Sequence, residues 1–152
     1  MTTIFNEDFL EFIRCLNHHE VEYIVVGGYS VILHGYTRTT GDLDLWIEKE
    51  GENYQKLVDA FHEFNMPVFD MTKENFLNND KIDVFTFGRS PVAIDIMTSV
   101  KGLEFKDCFK NAPVYDLEGL AIRFLHINDL LSAKKATNRP KDQDDIEHLN
   151  RK

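Results

Sequence analysis

The sequence predicts an α+β or α/β fold, one mixed β-sheet flanked by helices, in a single domain over residues 1–152. Three observations point to it. Short strand-like runs alternate with amphipathic helical stretches, an order that suits one mixed sheet with helices packed on it. The length of 152 residues matches one domain with a core of its own. Apolar residues make up 43% of the chain and phenylalanine occurs 12 times, which excludes a disordered polymer.

The elements follow in order. Asn6 suits a helix N-cap, with Glu7 and Asp8 in the first turn, and Phe9, Leu10, Phe12, Ile13 and Leu16 recur at helical spacing to about His19. Glu22–Val26 reads as a strand that Gly27-Gly28 breaks, and Tyr29–His34 as a short helix behind it. After a loop over Thr37–Gly41, Asp42–Glu48 alternates: Leu43, Leu45 and Ile47 point one way, Asp42, Asp44 and Trp46 the other. Glu52–Asn65 is an amphipathic helix with Tyr54, Leu57, Val58 and Phe61 on its apolar face, followed by Pro67. Ile82–Phe87 and Val92–Thr98 are strands joined by the hairpin loop Gly88-Arg89-Ser90-Pro91. Glu104–Lys110 is a short helix, Pro113–Tyr115 and Ala121–Phe124 are extended pieces, and helices near Asn128–Thr137 and Pro140–Asn150 close the chain. Pro140 suits a first helical turn.

Composition narrows the function. The net charge of −9 disfavours general attraction to nucleic acid or to an anionic membrane, although residues 134–141 carry four bases and no acid, a local phosphate-binding patch. No secretory signal is read at the N-terminus, and the longest apolar stretch, Tyr23–Leu33, is far short of the roughly 20 residues of a membrane span. Cys15 and Cys108 lie far apart with no metal-ligand pattern and read as buried thiols of a cytoplasmic protein. The histidines, His18-His19 among them, show no metal-ligand spacing.

Chemistry concentrates in the carboxylates. Asp42 and Asp44, two apart on a strand, leave the same face and raise each other's pKa, a conflict that a divalent cation removes. Asp95 lies between Ile94 and Ile96 in an apolar strand, costly to bury unless paired or metal-bound. If its strand neighbours the Asp42–Asp44 strand, the three converge on a site for two metals. Asp83, in Lys81-Ile-Asp-Val, is a rival third carboxylate. The plain alternative is a solvated strand start at Asp42 and Asp44 and a hydrogen-bond acceptor at Asp95.

Val26-Gly27-Gly28, His34-Gly35 and Arg38-Thr-Thr-Gly-Asp42-Leu-Asp44-Leu, with thirteen residues between Gly28 and Asp42, closely resemble the signature of the nucleotidyltransferase superfamily, the polymerase-beta-like fold. The His-Gly and Arg-x-Thr details resemble small bacterial nucleotidyltransferases related to the AbiEii toxin group. Ile94-Asp-Ile-Met-Thr with Gly102 and Phe105 resembles that group's third-carboxylate strand, and Lys134 through Arg139-Pro-Lys-Asp142-Gln-Asp144 its closing motif. The resemblance spans about residues 22–149. It implies an α+β nucleotidyltransferase fold and favours Asp95 over Asp83.

The resemblance further implies that Asp42, Asp44 and Asp95 hold two Mg²⁺ or Mn²⁺ ions and that Asp95 helps deprotonate an acceptor hydroxyl. A nucleoside monophosphate then passes from an NTP, such as ATP, to a hydroxyl or phosphate acceptor. Gly27 and Gly28 would let backbone N–H groups approach the triphosphate. Ser30, Arg38, Lys134 and Arg139 are candidate substrate contacts; their alternatives are a helix first-turn residue, a salt bridge and an exposed charge run. His34 reads as a capping or packing residue, and Trp46 as core rather than a base-stacking platform. The acceptor is open among tRNA, protein and small molecules, with a toxin–antitoxin or phage-defence setting and a homodimer or partner protein supplying the missing grip. Two rival functions stand beside this one, a non-catalytic antitoxin or binding module of the same fold and a lincosamide-type antibiotic nucleotidyltransferase.

Overall fold

The computed structural model describes residues 6–36, 41–89 and 92–150. Along the chain run α1 (Glu7–His18), β1 (Tyr23–Val26), α2 (Gly27–Leu33), β2 (Leu43–Ile47), α3 (Gly51–Glu63), α4 (Lys73–Leu77), β3 (Val84–Phe87), β4 (Ile94–Met97), α5 (Phe105–Asn111), β5 (Val114–Leu117), β6 (Leu120–Arg123), α6 (Ile127–Thr137) and α7 (Pro140–Asn150). Four strands form a sheet of order β1-β2-β4-β3. β2 is antiparallel to β1 and parallel to β4, and β3 is antiparallel to β4, so the sheet is mixed, as expected of this α+β chain.

Strand alternation sorts the apolar side chains into two cores. Tyr23, Val25, Leu43, Leu45, Ile47, Phe85, Phe87, Ile94 and Ile96 meet the apolar faces of α1 and α3, where Phe12, Ile13, Leu57 and Phe61 are fully buried. Ile24, Val26 and Trp46 belong to a second cluster with Cys108 of α5, Leu130 of α6 and Leu149 of α7. Each fully buried aliphatic or aromatic side chain contributes about 1.5–3 kcal/mol relative to exposure. The residues left between them on β2 and β4, Asp44 and Asp95, therefore belong to the second face.

Local chemistry sets the element ends. Asn6 Oδ1 accepts from the Phe9 N–H at 2.8 Å and caps α1, with Glu7 and Asp8 beside the helix's positive end. The Glu50 carboxylate accepts from the N–H groups of Glu52 and Asn53, so α3 begins at Gly51. Asn138 ends α6 in the left-handed region at φ +50°. Pro140 opens α7 as its ring geometry allows.

Three departures from the sequence reading have physical causes. α4 is five residues long, too short for a periodic signal, and is marked only by Thr72, whose side chain accepts from the Asn75 N–H. β3 starts at Val84 rather than Ile82, which leaves Asp83 just before the strand. The extended pieces expected at Pro113–Tyr115 and Ala121–Phe124 pair as an antiparallel hairpin, turning at Glu118 and Gly119. Both turn residues have positive φ, +53° and +82°, as a two-residue hairpin turn demands.

Candidate active site

The parallel register of β2 and β4 sets Asp44 directly opposite Asp95. The two side chains leave the same face and hydrogen-bond to each other. Burial pushes the Asp44 carboxyl up to about 7, aided by that hydrogen bond and by the charges of Asp95 and Asp42, with Lys141 acting the other way. Two carboxylates this close cannot both ionise without a cation between them. Across β4 in the other direction stands Thr86 of β3, whose hydroxyl donates to Asp95 Oδ1 at 2.7 Å. Its signal in the sequence was weak: only once β3 pairs with β4 does a threonine in Val-Phe-Thr-Phe come opposite the acid.

Gly27 closes the cluster from the side of β1. Its φ is +67°, and a Cβ built on it would lie 2.0 Å from Asp44 Oδ2. Both the backbone conformation and the carboxylate's position thus require glycine here. Gly27 is the first residue of α2 rather than a break before it. Gly28 is buried beside it, and Ser30, two residues further along α2, is fully buried with no hydrogen-bond partner for its hydroxyl among the described residues.

A cavity of about 690 Å³ opens over the pair. It is lined by Gly27, Asp44 and Asp95, by Asp83 and Lys101, by Lys134 of α6 and Asp142 of α7, and by Arg139 between these two helices. The volume falls in the range of small-molecule sites. Asp42 does not line it: its Oδ1 accepts from the Ala93 N–H at 3.1 Å. Arg38 lies outside the described residues, as does most of the loop Thr37–Gly41 and Ser90-Pro91 of the hairpin loop.

Lys134 is not part of an exposed charge run. It is 7% exposed, and its Nζ stands 3.3 Å from Asp142 Oδ1 and 3.1 Å from Asp145 Oδ2. Arg139 forks onto Asp142, its Nε donating to Oδ2 at 2.8 Å and its second nitrogen to Oδ1 at 3.1 Å. Burial alone would raise the Asp142 carboxyl; the hydrogen bonds from Arg139 and Thr137 and the charge of Lys134 outweigh it and hold it well below the usual carboxylate range. Asp142 and Asp145 thus fix two cations at the cavity wall, a framework the closing motif alone did not spell out.

The remaining candidates are packing residues. Trp46 is buried with its ring edge-on to Phe105, and its Nε1 has no hydrogen-bond partner among the described residues. His34 Nε2 bonds the Leu125 carbonyl at 2.7 Å. Tyr36 donates from its hydroxyl to Asp144 Oδ2 at 2.7 Å and stacks on His148, which ties the chain just after α2 to α7.

The donor chemistry fits a hard divalent cation. Asp44 and Asp95 supply oxygens only, they repel each other as anions, and burial with that repulsion makes the Asp44 carboxylate costly to ionise without a further positive charge. A cavity with a carboxylate pair on its floor and the ion-paired cations Lys134 and Arg139 on its wall suits a ligand that carries both metal and phosphate.

Comparisons with known proteins bear on this site. Residues 7–150 match a family described as a nucleotidyltransferase of unknown function (DUF6036). No curated protein sequence matches significantly. The fold is similar to the crystal structure of an inferred nucleotidyltransferase from Thermotoga maritima, with a TM-score of 0.58 at 16% identity over 95% of this chain and 91% of that one. It is also similar to the lincosamide antibiotic adenylyltransferase LnuA in its lincomycin-bound form, with a TM-score of 0.56 at 13% identity over 98% of each chain.

Proposed function

The chain belongs to this family of nucleotidyltransferases, and from that premise we propose that Asp44 and Asp95, with Asp42, form a metal-dependent centre that moves a nucleoside monophosphate from an NTP to an acceptor hydroxyl or phosphate. The observation that carries the proposal is the opposition of Asp44 and Asp95 beneath Gly27, at the floor of a cavity with Lys134 and Arg139 on its wall. Two Mg²⁺ or Mn²⁺ ions bound there would neutralise phosphate charge and lower the pKa of the acceptor hydroxyl.

The chain's own residues supply the rest. Asp95, one oxygen already engaged by Thr86, takes the acceptor proton. The acceptor oxygen then bonds the α-phosphorus as the bond to pyrophosphate breaks. Gly27 and Gly28 bring bare backbone close to the phosphates. Arg139, exposed beyond its fork to Asp142, contacts the leaving pyrophosphate, with Lys134 giving a fixed positive charge behind it. Arg38 is proposed as a further phosphate contact and Ser30 as a buried support of α2.

The finer setting is part of the proposal. The motifs resemble AbiEii-type proteins, which supports a toxin–antitoxin or phage-defence role with tRNA or protein as acceptor. A second copy or a partner protein would complete the acceptor surface. Among the described residues no helix is long and apolar enough to cross a membrane, and the two cysteines are free and buried, which supports a reducing, cytoplasmic setting.

The test is label transfer. The protein is incubated with each α-labelled NTP, Mg²⁺ or Mn²⁺, and RNA, protein extract or a lincosamide. Transfer abolished by Asp44→Asn supports the centre. Transfer that persists in Asp44→Asn, or after removal of divalent ions, sinks it.

A further inference from the structure

The structure assigns a second cation site, for Zn²⁺, to His18, His19 and Glu63, on the far side of the sheet from Asp44 and Asp95. The packing of α1 on α3 brings the C-terminal ends of the two helices together. There His18 Nδ1 lies 2.7 Å and His19 Nε2 2.8 Å from the same oxygen, Glu63 Oε1. Among the described residues, these three form a group whose donor atoms all lie within 4.8 Å of one another.

Spacing along the chain did not reveal it, because adjacent histidines point apart on a regular helix. His18 is the last residue of α1, and His19 is its C-cap, at φ −95° and ψ 8°, so the departing backbone turns the second ring towards the first. The ring centroids stand 4.9 Å apart. Glu63 comes from 44 residues further along, which no local pattern can supply.

Three features favour a metal over a plain ion pair. Two imidazole nitrogens from successive residues converge within 2.8 Å of one carboxylate oxygen, which gathers three donor atoms of two chemical types at one point. Glu63 ends α3, where the helix dipole disfavours an anion and a bound cation offsets both. The donor set of two nitrogens and one carboxylate suits Zn²⁺, with a fourth position for water. The nitrogen–oxygen separations need to widen only to about 3.3 Å around an ion with bonds of about 2.0–2.1 Å. The side chains are 69%, 28% and 38% exposed, so the ion can enter from solvent. The ion would pin α1 to α3 over the first core.

The experiment uses the full chain after chelator treatment, in the Asp44→Asn/Asp95→Asn background, so that it does not depend on the proposed catalytic metals. Calorimetric titration with Zn²⁺ is expected to show one site. His19→Ala and Glu63→Gln are each expected to weaken it by more than about tenfold, since loss of even a ligand's hydrogen-bond partner costs about that much, with far-UV circular dichroism unchanged. Co²⁺ in place of Zn²⁺ is expected to give the visible absorption of a four-coordinate ion, lost in the same two variants. Absence of Zn²⁺ binding in the folded background protein, or binding unchanged by His19→Ala and Glu63→Gln, overturns the assignment.

Discussion

Asp44 and Asp95 face each other across one pair of parallel strands, joined by a hydrogen bond that requires one of them to carry a proton or a cation to replace it. Replacing either by asparagine keeps the shape and removes the charge of a proposed metal ligand. Both Asp44→Asn and Asp95→Asn are expected to lower nucleotide transfer by at least about a thousandfold, the scale of losing preorganised charge at a reacting phosphate. Thr86→Val is expected to be milder, about tenfold, because it frees Asp95 to turn without changing its charge. Single-turnover transfer of label from NTP measures all three.

The same pair gives the metal-free protein a pH dependence of known sign. Asp44 titrates near 7 in the folded chain against an ordinary 3.8, so between these values the folded state binds more protons than the unfolded. Stability contributed at this site therefore falls as pH rises from about 4 to 7 and stays low above. Asp142 acts oppositely: depressed in the fold, it adds stability above about pH 4 that is lost as acid protonates it. In metal-free buffer at pH 8, Asp44→Asn is expected to be more stable than the parent by about 1–2 kcal/mol. Saturating Mg²⁺ should raise the parent's Tm and leave the variant's nearly unchanged. Denaturant melts at pH 5 and pH 8 decide it; an unfolding midpoint for Asp44→Asn below the parent's at pH 8 contradicts the account.

Most of this site was legible in the chain because its parts are local. Asp-Leu-Asp on an alternating strand put Asp44 on the face it occupies, and Gly27-Gly28 marked a place where only glycine fits, although the neighbour that demands it is the Asp44 carboxylate. The partner strand of β2 was a conditional statement, since nothing in Val-Ala-Ile-Asp-Ile says which strand lies beside it; the parallel β2–β4 register supplied the answer. For Lys134 the sequence left a substrate contact and an exposed charge run as alternatives; the exposed run is excluded only because its two partners, Asp142 and Asp145, sit on the next helix and bury it once α6 and α7 pack. The β5–β6 hairpin was missed because its turn uses Glu118-Gly119, a weaker signal than Asn-Gly or Asp-Gly. Contacts that depend on two elements meeting were the ones that periodicity could not reach.

Gly27→Ala tests whether the approach of backbone to carboxylate is needed. A Cβ at 2.0 Å from Asp44 Oδ2 must displace that carboxylate, and the φ of +67° costs a non-glycine residue about 1–2 kcal/mol by itself. The variant is expected to lose about 2–3 kcal/mol of stability. It is also expected to lose transfer activity to the level of Asp44→Asn at temperatures where it remains folded. Urea melts together with single-turnover transfer separate the two effects. Gly119→Ala, also at positive φ but with open space around its Cβ position, is the control for backbone strain alone and should leave transfer at the parental rate.

Lys134 offers the sharpest division between framework and contact. Its ammonium is buried between two carboxylates that are themselves buried, so removing it leaves two anions with too little compensation. Breaking such a group by deleting one partner typically costs about 3–5 kcal/mol, whereas replacing the charges together costs far less. Lys134→Met is therefore expected to destabilise by about 3 kcal/mol, and Lys134→Met/Asp145→Asn to recover a good part of it. If Lys134 also lends its charge to the phosphates at the cavity wall, the double variant will be stable yet bind NTP more weakly. If it serves α6–α7 packing alone, NTP affinity will return with stability. Arg139→Ala, which leaves Lys134 to neutralise Asp142, is the complementary measurement. It should weaken NTP binding about tenfold for one lost charged contact with a smaller loss of stability, because its guanidinium is mostly exposed. Calorimetry of NTP binding and denaturant melts on the same four proteins assign each cation its part.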